Sequence, residues 1–137
     1  MTSRPTVADV REHTLLTQFA RAAGTPGSVV GPGDDAAVVD PGATVLSVDT
    51  AVAGRHFRLD WSTPEQIGAR AVIAAAADIA AMGARTTGVL VALAAPSTTP
   101  ADVVVGIDRG VVECAAVLGA SVLGGDLVMA ARHGRAR

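Results

Sequence analysis

Hydrophobic positions follow two different periods along the 137 residues, and the alternation of those periods predicts the elements. Leu15, Leu16, Phe19, Ala20 and Ala23 recur at helical spacing and Gly24 follows as a stop, so a helix is expected over Ala8–Ala23. Thr25–Gly33, rich in glycine and proline, reads as a loop. Ala36–Val39 and Val45–Val52 read as strands, and Asp40-Pro41-Gly42 between them predicts a hairpin. In the second strand Val45, Ser47 and Asp49 share one face, and Leu46, Val48 and Thr50 the other. The loop Ala51–Trp61 follows. Thr63 then caps a long helix, with Pro64 at its first position and Gln66 completing a capping box; it runs to about Met82 and stops at Gly83. Thr87–Ala94 is a nearly continuous apolar strand, expected to be buried on both faces. Thr99-Pro100-Ala101-Asp102 opens a second long helix by the same cap-then-proline signal. Val103, Ile107, Val111, Ala115 and Leu118 form its core stripe, and Gly119 ends it. Ser121–Leu123 is a short strand leading into Gly124-Gly125-Asp126. This order predicts an α/β (α+β) layer with helices on one sheet.

Composition narrows the chemistry. Half the residues are apolar, so the chain is globular, with the length for one domain. Two Phe, one Trp and no Tyr leave a core of small side chains and weigh against a base-stacking nucleic-acid surface. There is no lysine, which removes Schiff-base chemistry and the P-loop lysine together. The lone Cys114 excludes an internal disulfide and lies in a core stripe, a poor place for a nucleophilic thiolate. Neither a signal-peptide pattern at the N-terminus nor a convincing membrane span is visible, so a cytoplasmic protein is expected. Met129–Arg137 breaks the pattern and reads as a basic, frayed tail after a domain over residues 1–128.

Candidate chemistry gathers on aspartates. Gly31-Pro32-Gly33-Asp34-Asp35-Ala36-Ala37 places adjacent carboxylates on a glycine-rich bend, where a hard divalent cation such as Mg²⁺, Ca²⁺ or Mn²⁺ would offset their repulsion; a solvated turn would look alike. Asp49 stands near the end of a predicted strand. Asp78 interrupts the apolar run Ala71–Ala81, on a helical face shared with Ala71, Ala74, Ala75 and Met82 that is expected to be buried. Asp126 follows two glycines at the expected end of a strand, where α/β folds hold ligands. Asp35, Asp49, Asp78 and Asp126, without a matching basic cluster, point to bound Mg²⁺ and hence to phosphoryl transfer. Gly31-x-Gly33-x-x-Ala36 is not read as a dinucleotide fingerprint, because a strand-like run follows it and not a helix. Arg55-His56-Arg58 is a sensible phosphate contact or a plain surface loop.

Four segments occur in order: Gly33-Asp34-Asp35-Ala36-Ala37; Ser47-Val48-Asp49-Thr50 with Gly54-Arg55-His56-Phe57; Ala77-Asp78-Ile79-Ala80-Ala81-Met82-Gly83-Ala84; and Gly124-Gly125-Asp126. Together they resemble the N-terminal domain of the thiamine-monophosphate kinases, in the superfamily of aminoimidazole-ribotide synthetase and selenophosphate synthetase. That resemblance implies a mixed sheet with helices packed on one face, in a homodimer whose sheets bury each other. It implies ATP-dependent phosphorylation of thiamine monophosphate to thiamine diphosphate, by direct transfer with several Mg²⁺ ions. It implies Asp35, Ser47, the backbone of Val48, Asp49, Asp78 and Asp126 as metal ligands, Gly125 and Asp126 as ATP contacts and His56 as a substrate contact. The chain departs from the family pattern at Ala75, where Asn is usual, and near Asp108, where an aromatic is usual. The family continues into further strands and a second α/β domain, so a fragment with little turnover of its own is expected. Alternatives are another ATP-using enzyme of the superfamily, aminoimidazole-ribotide-synthetase-like or of the hydrogenase-maturation type, and a non-catalytic dimerising module that keeps its affinity for Mg²⁺ and nucleotide.

Overall fold

A computed structural model describes residues 4–10, 14–15, 17–18, 28–30, 38–39 and 43–130. Its elements are β1 (Ser28–Val30), β2 (Val38–Val39), α1 (Pro64–Ala81), β3 (Gly88–Pro96), α2 (Ala101–Val117) and β4 (Ser121–Ala130). Residues 14–15 and 17–18 are helical, but residues 7–9 form a turn, so the first helix starts later than expected. The Asp9 carboxylate accepts from both the backbone N–H and the hydroxyl of Thr6, a local closure that competes with helix. The remainder of the expected helix and the Asp35 bend lie outside the described residues.

The α1–β3–α2–β4 unit carries the core. α1 begins as its sequence dictates: the Gln66 N–H donates to Thr63 Oγ1 at 3.2 Å, and the Thr63 N–H donates back to the Gln66 side chain at 3.0 Å. It ends at Met82 before Gly83, whose φ of +74° suits glycine. α2 departs from expectation at its start. Pro100, not Thr99, is the N-cap, and no side chain caps the helix; the Ala101 N–H donates instead to the Pro5 carbonyl. The helices cross where both lack side chains. A methyl on Gly68 would overlap the Ile107 carbonyl of α2, and one on Gly110 would overlap the Glu65 carbonyl of α1. The backbones therefore approach to a distance that only glycine allows.

β3 and β4 pair in parallel, from Gly88 opposite Ser121 to Pro96 opposite Ala130. The connection through α2 is a βαβ unit. Val72, Val111, Ala115, Ala120 and Val122 form one buried cluster; Val7, Leu15, Ala95, Val104 and Leu127 form another. Both lie on the helix side of the sheet. β3 is thus buried on one face and not on two: Val89, Val91, Leu93 and Ala95 turn inward while Leu90, Ala92 and Ala94 are exposed. With helices on a single face, nothing among the described residues buries the alternate residues of this apolar run.

The α/β class and the one-sided helix layer are as expected. Among the described residues the strands form two separate pairs, antiparallel β1–β2 and parallel β3–β4. Among the described residues the expected hairpin is not seen: β2 pairs with β1, in the stretch read as a loop, and 45–52 joins no ladder. Pairing Val38 and Val39 with Ser28–Val30 uses an apolar stretch whose flanking glycines masked its strand character. β4 is longer than expected and reaches Ala130, so Met129 and Ala130 belong to the strand and not to the tail. Residues 131–137 lie outside the described residues.

Candidate functional site

The extended segment 44–50 and the loop 51–57 run beside one face of α1. That face carries Ile67, Arg70, Ala71, Ala74 and, one turn further on, Asp78. Toward the N-terminal half of α1 the loop covers it, and a pocket of about 100 Å³ is lined by Asp49, Thr50, Ala51, His56, Phe57, Ile67, Arg70, Ala71 and Ala74. Toward the C-terminal half only Ser47 reaches across. Its hydroxyl donates to Asp78 Oδ2 at 2.9 Å.

That bond joins two of the segments on which the functional expectation rests. Asp78 is exposed, contrary to the expectation of a buried face, because the covering segment ends its close approach before that turn of the helix. It nevertheless turns toward Ser47 and not away from the strand that bears Asp49. Asp49 is exposed as well, and its Oδ1 accepts from the Thr50 N–H at 2.7 Å. Val48 is 92% exposed, so its carbonyl lies on an open segment.

Asp126 was expected at a strand end and lies within β4, opposite Ala92 on the exposed face of the sheet. The glycines before it are responsible. Gly125 packs so closely on β3 that a methyl there would overlap the Val91 carbonyl, and a register shift precedes Gly124. The bulge falls at Leu123, the two glycines pair with Leu90 and Val91, and pairing continues past them.

The acids are not gathered into one cluster. Among the described residues there is no group of three or more His, Cys, Asp or Glu close enough to share a metal, and Asp35 lies outside them. The donor chemistry does fit a hard divalent ion: Asp49, Asp78 and Asp126 are exposed carboxylates that enter no ion pair among the described residues, and Ser47 adds a hydroxyl.

The loop is built more tightly than its polarity indicated. The His56 and Arg55 N–H groups donate to the Val52 carbonyl, and the Gly54 N–H to the Phe57 carbonyl. The Val52 N–H donates to His56 Nδ1 at 2.9 Å, which leaves Nε2 to carry the proton of the neutral ring. Arg70 Nη1 donates to the His56 carbonyl. Of the expected Arg55-His56-Arg58 trio, Arg58 is engaged elsewhere. It pairs with Asp60, which raises the pKa of Arg58 and lowers that of Asp60, and it stacks 4.5 Å over the Trp61 ring.

Sequence reasoning passed over two residues. Arg70 is one, and its position on the Ile67–Ala74 face of α1 is the available signal. Asp108 stands between Val104 and Val111 on the inward stripe of α2, and burial pushes its carboxyl up from 3.8 to about 6. Cys114 is half-buried and its thiol is pushed up by burial, in keeping with a structural role.

The fold and these segments define a class. The chain belongs to the family described as AIR synthase related protein, N-terminal domain, whose profile matches residues 33–136. Within it, the chain is similar to thiamine-monophosphate kinases. That of Mycobacterium tuberculosis (strain ATCC 25618 / H37Rv) is 45% identical over 130 residues, covering 93% of this chain and 39% of the relative. That of Corynebacterium glutamicum is 43% identical over 127 residues, covering 90% and 37%. The crystal structure of thiamine-monophosphate kinase from Stenotrophomonas maltophilia K279a superposes with a TM-score of 0.67 at 26% identity, over 91% of this chain and 38% of that one. The chain thus spans just under two fifths of the length of these relatives.

Proposed function

We propose that this chain is the N-terminal, Mg²⁺- and ATP-binding part of an enzyme that transfers the γ-phosphoryl group of ATP to thiamine monophosphate, giving ADP and thiamine diphosphate. The observation that carries the reading is the Ser47–Asp78 hydrogen bond, which sets the Ser47-Val48-Asp49 segment against the acid-bearing helix. Asp35, Ser47, the Val48 carbonyl, Asp49, Asp78 and Asp126 would hold Mg²⁺ through oxygen atoms. When bound, the ion neutralises phosphate charge in such transfers. Gly125 and Asp126, on the exposed part of β4, would contact ATP. His56, whose Nε2–H makes no hydrogen bond among the described residues, would donate to the phosphorylated substrate. The similarity to thiamine-monophosphate kinases supports the choice of thiamine monophosphate.

A cytoplasmic homodimer is part of the same reading. No described helix is long and apolar enough to cross a membrane. The outer face of β3–β4, with Leu90 76% and Val128 51% exposed, and the open segment bearing Leu46 at 86% supply apolar surface for a second sheet.

Calorimetry and a kinase assay test the reading. This chain should bind Mg·ADP, and Asp78→Asn should weaken that binding by about tenfold or more, the loss of a charged oxygen ligand. With ATP and thiamine monophosphate it should turn over weakly. Mg·ADP affinity that is absent, or indifferent to Asp78→Asn, would refute the assignment.

A further inference from the structure

Arg70 is the one side chain for which a hydrogen bond ties α1 to the loop that carries His56. The loop's other bonds are internal: Val52 to the His56 ring, His56 and Arg55 to Val52, Gly54 to Phe57. Val52 and His56 are both exposed, so these bonds compete with water and fix neither the ring nor the turn's place over the helix by themselves. Arg70 supplies the place. Arg70 lines the same pocket as Asp49 and His56, and its guanidinium donates to the His56 carbonyl. A guanidinium keeps its charge and its planar fork of donors at any physiological pH, so the tie is pH-independent.

We infer that Arg70 is a positioning residue. By holding the His56 carbonyl it keeps the imidazole in the orientation in which Nδ1 accepts from Val52 and Nε2–H donates into the pocket. The inference deepens the proposed function, on which the role of His56 toward substrate rests, but the ring's orientation can be measured without any substrate. Lysine at 70 can still donate to a carbonyl, though from a single ammonium. Glutamine offers a shorter, neutral donor that would not span the same gap.

The experiment uses the full chain and its Arg70→Gln and Arg70→Lys variants. Long-range ¹H–¹⁵N spectra report which imidazole nitrogen carries the proton, with His13 and His133 as internal references. Wild type should show His56 in a single tautomer, with Nδ1 the acceptor. Arg70→Gln should move His56 toward the mixture of tautomers of a free imidazole, and Arg70→Lys should restore much of the wild-type pattern. In parallel, thiamine monophosphate should bind Arg70→Gln about tenfold more weakly, the worth of one charge-assisted hydrogen bond, with Mg·ADP affinity unchanged. Far-ultraviolet dichroism confirms the fold of each variant. A folded Arg70→Gln chain whose His56 signals match wild type overturns the inference, whatever the binding data. If wild type binds no thiamine monophosphate, the functional reading fails, and the ring signals alone decide the role of Arg70.

Discussion

The layer over residues 64–130 and the segment over 43–62 are held by different physics. In the layer, backbones touch: Gly68 and Gly110 bring two helices into contact that no side chain could share, and two buried clusters lie beneath them. The segment buries almost nothing. Leu46 and Val48 are 86% and 92% exposed, and individual hydrogen bonds anchor it to α1, from Ser47 to Asp78 and from Arg70 to the His56 carbonyl. Yet the segment carries most of the described candidate ligands, while the layer contributes Asp78 and Asp126 from its rim. Stability and chemistry are thus divided. A rigid platform presents Asp78 and Asp126, and a lightly tied segment brings Ser47 within hydrogen-bond distance of Asp78.

The division can be broken first at the helix crossing. Gly110→Ala should cost roughly 3 kcal/mol or more, because the methyl meets a backbone carbonyl that cannot rotate away. Urea denaturation measures it, and a loss under 1 kcal/mol would mean that the helices can part cheaply. Asp108 provides a gentler probe of the same layer. Its carboxyl is raised to about 6 by burial, so the folded chain holds its proton more tightly than the unfolded chain does. The resulting penalty is absent below about pH 4, grows as pH rises and is complete above about pH 6 to 7. Asp108→Asn should therefore stabilise the chain by about 1–2 kcal/mol at pH 7.5, since partial wetting trims the full worth of the shift, and leave it unchanged at pH 4. Equal stability of the two chains at pH 7.5 would show that the charge is not strained. On the segment, Ser47→Ala should cost at most about 0.5 kcal/mol, since its hydrogen bond to the exposed Asp78 competes with water, while weakening Mg·ADP binding measurably. A large stability loss there would erase the contrast between the two regions.

Much of this was legible in the chain because local chemistry decides it. The Thr63–Gln66 capping box, the proline at the first helical position and the stop at Gly83 act within a few residues of one another, and α1 follows them closely. The ordered aspartate-bearing segments likewise led to the family. Signals that were local but ambiguous misled. Asp40-Pro41-Gly42 announces a hairpin, but β2 takes its partner from the other side, and Gly124-Gly125 announces a strand end in the middle of β4.

What the amino acids determined alone is which stretches become helix, which residues are suited to hold a hard cation, and which family the pattern belongs to. Each follows from neighbours in sequence or from the intrinsic chemistry of a side chain. Only the tertiary structure decided that β3 shields one face, that Asp78 stands exposed within reach of Ser47, and that Arg70 holds the His56 loop. Those depend on what each surface meets across space, and no period or propensity along the chain encodes the partner.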